Sequence, residues 1–215
     1  EVTFRNVGDV ATDVELFIAG ADKEKVSVDV SQTTLNVEGE LRVAIKAVEG
    51  GKFSSFANDN LTAGMTLEVM APDGRFTAMP DGNVEHDYAA FASGSGVTPI
   101  LSIVKSILER EPKSRFTFFY GNRDTGSIIF RELLSDLKDR YMDRFNLVHV
   151  LSREAQEMDI LHGRLDETHI RKLANRAMFD ATKVDAIFLC GPGDMIEKAT
   201  DTLVELGAAR DKIRF

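Results

Sequence analysis

The chain has 215 residues, 43% hydrophobic and 28% charged, a globular balance with room for one large domain or two small ones. Its 35 acidic residues against 26 basic give a net charge of −9 without a polybasic run, which argues against a nucleic acid or an anionic membrane surface as partner. One cysteine, Cys190, excludes an intramolecular disulfide and a four-cysteine iron–sulfur or zinc site on this chain.

The four histidines lack metal-ligand spacing. No apolar run reaches the length of a membrane span and no signal peptide opens the chain, so the expected setting is soluble, reducing and cytoplasmic.

Residues 1–80 read as β. Short alternating or β-branched runs at Val2–Phe4, Val14–Ala19, Val26–Val30, Thr33–Val37, Leu41–Val48 and Thr66–Met70 are separated by Gly- and Asp-containing turns, which predicts a small antiparallel barrel or sandwich. One helix, roughly Ser54 to Leu61, interrupts it. Pro72 to Asp87 carries Pro, Gly, Asn and Asp without periodicity and is predicted to be the hinge to a second domain, residues 85–215.

There the rhythm changes. Strands are predicted at Tyr88–Ala92, Phe116–Tyr120, Leu147–Leu151 and Val184–Cys190. Helices are predicted at Pro99–Arg110, Ile128–Arg140, near Glu167–Ala177 and at Asp194–Leu206, and a last strand starts at Lys212–Phe215. Strand–helix alternation at this spacing implies βαβ units, hence a doubly wound α/β domain with a five-stranded parallel sheet.

In such a sheet, ligands bind beyond the carboxyl ends of the strands. After the first strand comes Gly94-Ser95-Gly96-Val97-Thr98-Pro99. Its glycines let backbone approach a phosphate, Thr98 is the predicted N-cap and Pro99 the first helical residue; the same residues also suit a plain tight turn. After the second strand, Arg123 suggests a phosphate partner, whereas adjacent Asp124 suits free ribose hydroxyls. After the third, Ser152-Arg153 pairs a hydroxyl with a guanidinium. Either arginine alone reads as a surface charge; both on one edge favour a 2′-phosphate. After the fourth, Cys190-Gly191-Pro192-Gly193 turns sharply and leaves room for a flat ring, with Cys190 either touching that ring or simply buried. His162 and His169 read as solvated or helix-surface residues.

These four loops, in this order and spacing, resemble the NADP-binding domain of the ferredoxin–NADP reductase superfamily. Within it, the reductase components of bacterial multicomponent oxygenases are most alike, those of the phenylacetyl-CoA type above all. The likeness spans Leu41–Phe215. It implies that Gly94, Ser95, Gly96, Thr98 and Pro99 form the turn that holds the cofactor's pyrophosphate and ribose. It assigns Arg123, Ser152 and Arg153 to the adenosine end with its 2′-phosphate, and Cys190, Gly191 and Pro192 to the nicotinamide. Glu40 to Lys46 followed by Gly50, Gly51, Lys52, Phe53 and Ser54 resembles the family's flavin pyrophosphate segment, which implies FAD. By itself that segment reads as a hairpin end and a capped helix.

The family's flavin strand Arg-x-Tyr-Ser is absent: Gln32 to Gly39 stand in its place, and no tyrosine precedes Tyr88. Residues 1–40, through Val14–Val30 and Thr34–Glu40, are instead similar to the core strands of small heat-shock (α-crystallin) domains. The chain opens on Glu1 rather than an initiator methionine, as an excised piece would. The resemblance also places a ferredoxin-type domain after Phe215, and one cysteine cannot supply its cluster.

Three functions compete. The first is an oxidoreductase passing electrons from NADPH through FAD to an iron–sulfur or oxygenase partner, in phenylacetate degradation if the nearest likeness holds. The second is an NADP-binding module that has lost its flavin. The third is a chimeric interaction protein with an α-crystallin-like edge. No catalytic base is expected, because hydride transfer between two rings does not require one.

Overall fold

The computed structural model describes residues 49–62, 65 and 76–215. The strands predicted before Leu41, the Leu41–Val48 and Thr66–Met70 strands, the α-crystallin-like stretch and the site of the missing flavin motif all lie outside the described residues. The chain divides into two units, 1–75 and 76–215.

In the first unit, helix α1 spans Lys52–Asn60, opening two residues before the predicted start. Gly51 takes the N-cap place in extended backbone, and Ala57 is buried.

The second unit carries five parallel strands: β1 (Asp87–Ser93), β2 (Arg115–Asn122), β3 (Phe145–Leu151), β4 (Ala186–Cys190) and β5 (Ile213–Arg214), in the order β3-β2-β1-β4-β5. Helices α2 (Val97–Arg110), α3 (Arg131–Arg140), α4 (Glu167–Asn175) and α5 (Gly193–Glu205) alternate with them. The strands alternate with period 2 between two cores. On one face Ala90, Ala92, Phe116, Phe118, Tyr120 and Phe188 pack with Ile100, Val104, Ile107 and Leu108 of α2 and Leu134 and Leu137 of α3. On the other, Ala89, Phe91, Phe119, Val148 and Ile187 pack with Ile170 and Leu173 of α4 and Ala199 and Leu203 of α5. The doubly wound parallel sheet is therefore as the sequence predicts.

The amino end of the sheet is closed by a buried polar cluster. Glu111, 1% exposed, accepts from the Tyr88 hydroxyl at 3.0 Å, the Ser114 hydroxyl at 2.6 Å and the Asp81 backbone N–H at 3.1 Å. The Arg144 guanidinium donates to the carbonyls of Leu108, Glu111 and Ser114, which satisfies carbonyls left free at the end of α2. Residues 76–86 are tied to the same unit: Phe76 meets Phe188 edge-on at 6.1 Å, and Arg214 reaches the Thr77 carbonyl.

Three local readings are corrected. The helix predicted from Ile128 opens only at Arg131, because Phe130 before it takes a left-handed φ of 60°. A single 3₁₀ turn at Gly94–Gly96 draws the start of α2 forward, so the helix begins at Val97 with Gly96 as N-cap. Thr98 is thus the second helical residue, and its hydroxyl donates back to the Ser95 carbonyl at 3.1 Å instead of capping. Pro99 is the third rather than the first, where its missing N–H still costs nothing because the first helical N–H groups lack internal partners. His169 is not on the surface but 4% exposed. Its Nε2 lies 2.7 Å from the Ile160 carbonyl, which pins the loop after β3 against α4.

Candidate functional site

The chain leaves β1 toward β2 and β3 on one side and returns to β4 on the other, so the strand order reverses between β1 and β4. Loops leaving adjacent strands toward opposite faces open a crevice at such a point. Here it is built from backbone. A Cβ on Gly96 would lie 2.2 Å from the Cys190 carbonyl oxygen and 2.6 Å from its carbon, a distance no side chain tolerates. Gly96 has an ordinary helical φ of −62°, so glycine is needed for room and not for conformation. Gly94, with φ +55°, is the residue that turns the chain.

Above this crossing, the start of α2 presents its positive end to the Gly94–Gly96 turn. Helix α5 starts at the same edge from Pro192 and Gly193. Gly191 lies under Met195, whose sulfur would be 2.8 Å from an added Cβ. Cys190 is half-buried against the α2 face, and burial raises its pKa, so the thiol stays protonated at neutral pH.

The turn is braced from below. The Tyr120 hydroxyl donates to the Gly94 carbonyl at 2.9 Å. Its side chain is fully buried, and its pKa rises far above the usual tyrosine range because burial disfavours the phenolate.

The arginines lie on the β2–β3 side of the same edge. Beyond the last paired residues, Asn122 and Leu151, the ladder continues through Ser152 N–H to the Asn122 carbonyl at 3.0 Å and Arg153 N–H to the Arg123 carbonyl at 2.7 Å. Both side chains are exposed, and among the described residues neither guanidinium has an ion-pair partner. The neighbouring carboxylates are engaged. Asp124 accepts from the Ser127 N–H at 2.9 Å in a capping box. Glu154 accepts from the Thr125 N–H at 2.7 Å and the Thr125 hydroxyl at 2.6 Å.

The structure thus brings Gly94, Ser95, Gly96, Thr98 and Pro99 together with Cys190, Gly191 and Pro192 at the switch point, and Arg123 together with Ser152 and Arg153 beside it. Gly51, Lys52, Phe53 and Ser54 belong to the other unit, at the start of α1. There Lys52 and Phe53 are exposed, and the Ser54 hydroxyl reaches back to the Gly51 carbonyl at 3.4 Å. The Tyr120 brace and the Thr125–Glu154 tie were not foreseen. Asp124 and Asp166 are residue types that favour the N-cap place they take, a signal visible in the sequence.

A doubly wound parallel sheet with a glycine turn at its switch point is the architecture of dinucleotide-binding domains. The chain belongs to the oxidoreductase NAD-binding domain family, whose model matches residues 91–201, and through it to the ferredoxin–NADP reductase superfamily. It is 43% identical over 169 residues to a component of the 1,2-phenylacetyl-CoA epoxidase of Escherichia coli (strain K12), covering 79% of this chain and 47% of that protein. It is 31% identical over 172 residues to the ferredoxin reductase component of 3-ketosteroid-9-alpha-monooxygenase from Rhodococcus rhodochrous, covering 80% of this chain and 44% of that protein. The cytochrome b5 reductase domain of Ulva prolifera nitrate reductase superposes with a TM-score of 0.64 at 25% identity, over 77% of this chain and 66% of that one. The chain spans about half the length of these two curated relatives, the epoxidase component and the monooxygenase reductase. Among the described residues no helix is long and apolar enough to cross a membrane.

Proposed function

We propose that the chain is the pyridine-nucleotide part of a flavin-dependent reductase that passes electrons from NADPH through FAD to a ferredoxin-type domain or an oxygenase component, in a system of the phenylacetyl-CoA type. The observation that carries this reading is the approach of Gly96 to the Cys190 carbonyl, which leaves no side chain between these two backbones at the switch point, beside the starts of α2 and α5. A dinucleotide fits there: Gly94 to Thr98 would hold its pyrophosphate, and Cys190, Gly191 and Pro192 would border the nicotinamide. Arg123, Ser152 and Arg153 would take the adenosine end.

NADPH is favoured over NADH because Arg123 and Arg153 stand exposed on bonded strand ends, with no ion-pair partner among the described residues. A 2′-phosphate can pair with both groups. When bound, the nicotinamide supplies a hydride and the flavin converts that pair into single electrons. The chain's own part is to bind, orient and keep the neighbourhood unreactive, with Cys190 held as a neutral thiol.

The Gly51 N-cap and first turn of α1 support a flavin phosphate contact through backbone N–H groups. The absence of Arg-x-Tyr-Ser from the sequence favours a second reading, an NADP-binding module without flavin. The visible spectrum of the protein, with and without added FAD and then after NADPH, separates them. Bound flavin that bleaches supports the reductase; no retained flavin in excess FAD leaves the binding module.

A further inference from the structure

We infer that Glu154, clasped by Thr125, is a positioning residue for recognition of a 2′-phosphate: it locks the loop after β2 to the loop after β3, so that Arg123 and Arg153 are presented as one pair. The inference rests on the reading of this edge as the NADP(H) site. The two partners are 29 positions apart in the chain, yet both carboxylate oxygens of Glu154 are used on a single residue: Oε1 by the Thr125 hydroxyl at 2.6 Å and Oε2 by the Thr125 N–H at 2.7 Å.

The tie lies immediately past the last ladder bond, Arg153 N–H to the Arg123 carbonyl. Thr125 follows Arg123 by two residues and Glu154 follows Arg153 by one, so the tie clamps the two loops directly beyond the arginine pair, where sheet pairing has ended. A carboxylate beside an anion site is unfavourable by charge alone, and here its two donors hold it ionised, below the usual carboxylate range. The geometric gain must exceed that repulsion. Removing the tie and removing the charge therefore have opposite effects on phosphate affinity.

The test is calorimetric titration of the full chain with adenosine 2′,5′-bisphosphate and with 5′-AMP, which differ only by the 2′-phosphate. Glu154→Ala is expected to weaken the bisphosphate about tenfold and 5′-AMP less than about twofold. Glu154→Gln keeps both bonds, its amide oxygen accepting the Thr125 N–H and its amide nitrogen donating to the hydroxyl, and is expected to bind the bisphosphate within about twofold of the unaltered protein. Thr125→Val, which loses only the hydroxyl bond, should fall between, about threefold weaker. The inference is overturned if Glu154→Ala binds the bisphosphate as tightly as the unaltered protein or tighter, if both ligands weaken equally, or if Glu154→Gln behaves like Glu154→Ala. Arg153→Ala separates the two levels. If the unaltered protein and Arg153→Ala both bind the two ligands alike, the NADP(H) reading itself fails; if they differ and Glu154→Ala changes nothing, only the positioning role fails.

Discussion

Arg153 donates its backbone N–H to the Arg123 carbonyl at 2.7 Å, so the two exposed guanidinium groups rise from adjacent, bonded strand ends. A phosphate between them gains an oppositely charged partner from each, where a neutral ribose hydroxyl gains no ion pair. Arg153→Ala is expected to weaken NADPH about tenfold or more while leaving NADH within about twofold, and Arg123→Ala should do the same. Steady-state or binding measurements with both cofactors check this. Equal losses for the two nucleotides would move the 2′-phosphate site elsewhere.

Gly96 and Gly193 make a contrasting pair. A methyl group on Gly96 would meet the Cys190 backbone at 2.2 Å, and neither side can yield without separating β1 from β4. Gly96→Ala is expected to cost about 3 kcal/mol or more in denaturant unfolding and to abolish nucleotide binding. Gly193, first residue of α5, has nothing within 4 Å of an added Cβ. Gly193→Ala should be neutral, or stabilising by up to about 1 kcal/mol, because alanine loses less backbone freedom in a helix.

The Tyr120 hydroxyl provides a milder test of the same turn. Tyr120→Phe removes the bond to the Gly94 carbonyl but preserves ring packing on Phe118, 5.4 Å away between centroids. The Gly94 carbonyl keeps the Val97 N–H as donor, so the expected cost is only about 1 kcal/mol. Because the brace lies under the pyrophosphate turn, NADH and NADPH should weaken together, unlike the arginine variants. A change confined to one cofactor would show that Tyr120 serves the adenosine end instead.

Period and length alone made the sheet legible. Apolar runs such as Phe116–Tyr120 and the broad apolar stripe of Ile100, Ile103, Val104 and Ile107 have one reading each, and alternation then sets topology. Loop residues were legible as types, because glycine and arginine at strand ends have few other uses. What sequence could not show were contacts made across the fold. Glu111 reads as a helix-end surface acid until Tyr88 and Asp81, 23 and 30 positions away, arrive to bury it. The Thr125–Glu154 tie is hidden in the same way, and the start of α2 was misplaced because a 3₁₀ turn leaves no periodic signal.

That buried acid has a measurable consequence. Glu111→Ala would leave the Tyr88 and Ser114 hydroxyls and the Asp81 N–H facing a cavity, and is expected to destabilise the protein by about 3 kcal/mol. Glu111→Gln retains an acceptor and most of the volume, so it should lose only about half as much. Unfolding midpoints of the two variants check the order. An alanine variant no worse than the glutamine one would mean that packing, not hydrogen bonding, closes this end of the sheet.

His149 gives the fold a pH dependence of defined sign. It stands on β3 beside Tyr120, ring centroids 5.9 Å apart, and its Nδ1 has no hydrogen-bond partner among the described residues. Burial, then the positive charges of Lys138 and Arg131 on α3, lower its pKa from 6.5 to about 4. The unfolded chain therefore takes up a proton near pH 6.5 that the folded one refuses until about pH 4, so stability is lost as pH falls through that window and is flat above it. Asp81, Glu154 and Asp180, each held below its ordinary value by hydrogen bonds, act in the same direction only near or below those values of 3.8 to 4.5. The interval from pH 7 to 5 thus lies above those carboxylate values and takes in the upper part of the His149 window. Over it the unaltered protein is expected to lose about 1 to 2 kcal/mol in denaturant unfolding, allowing for the part of the ring that water reaches. His149→Leu, with nothing to titrate, should show almost no change across the same interval. A leucine variant that keeps the full slope would assign the effect to another group.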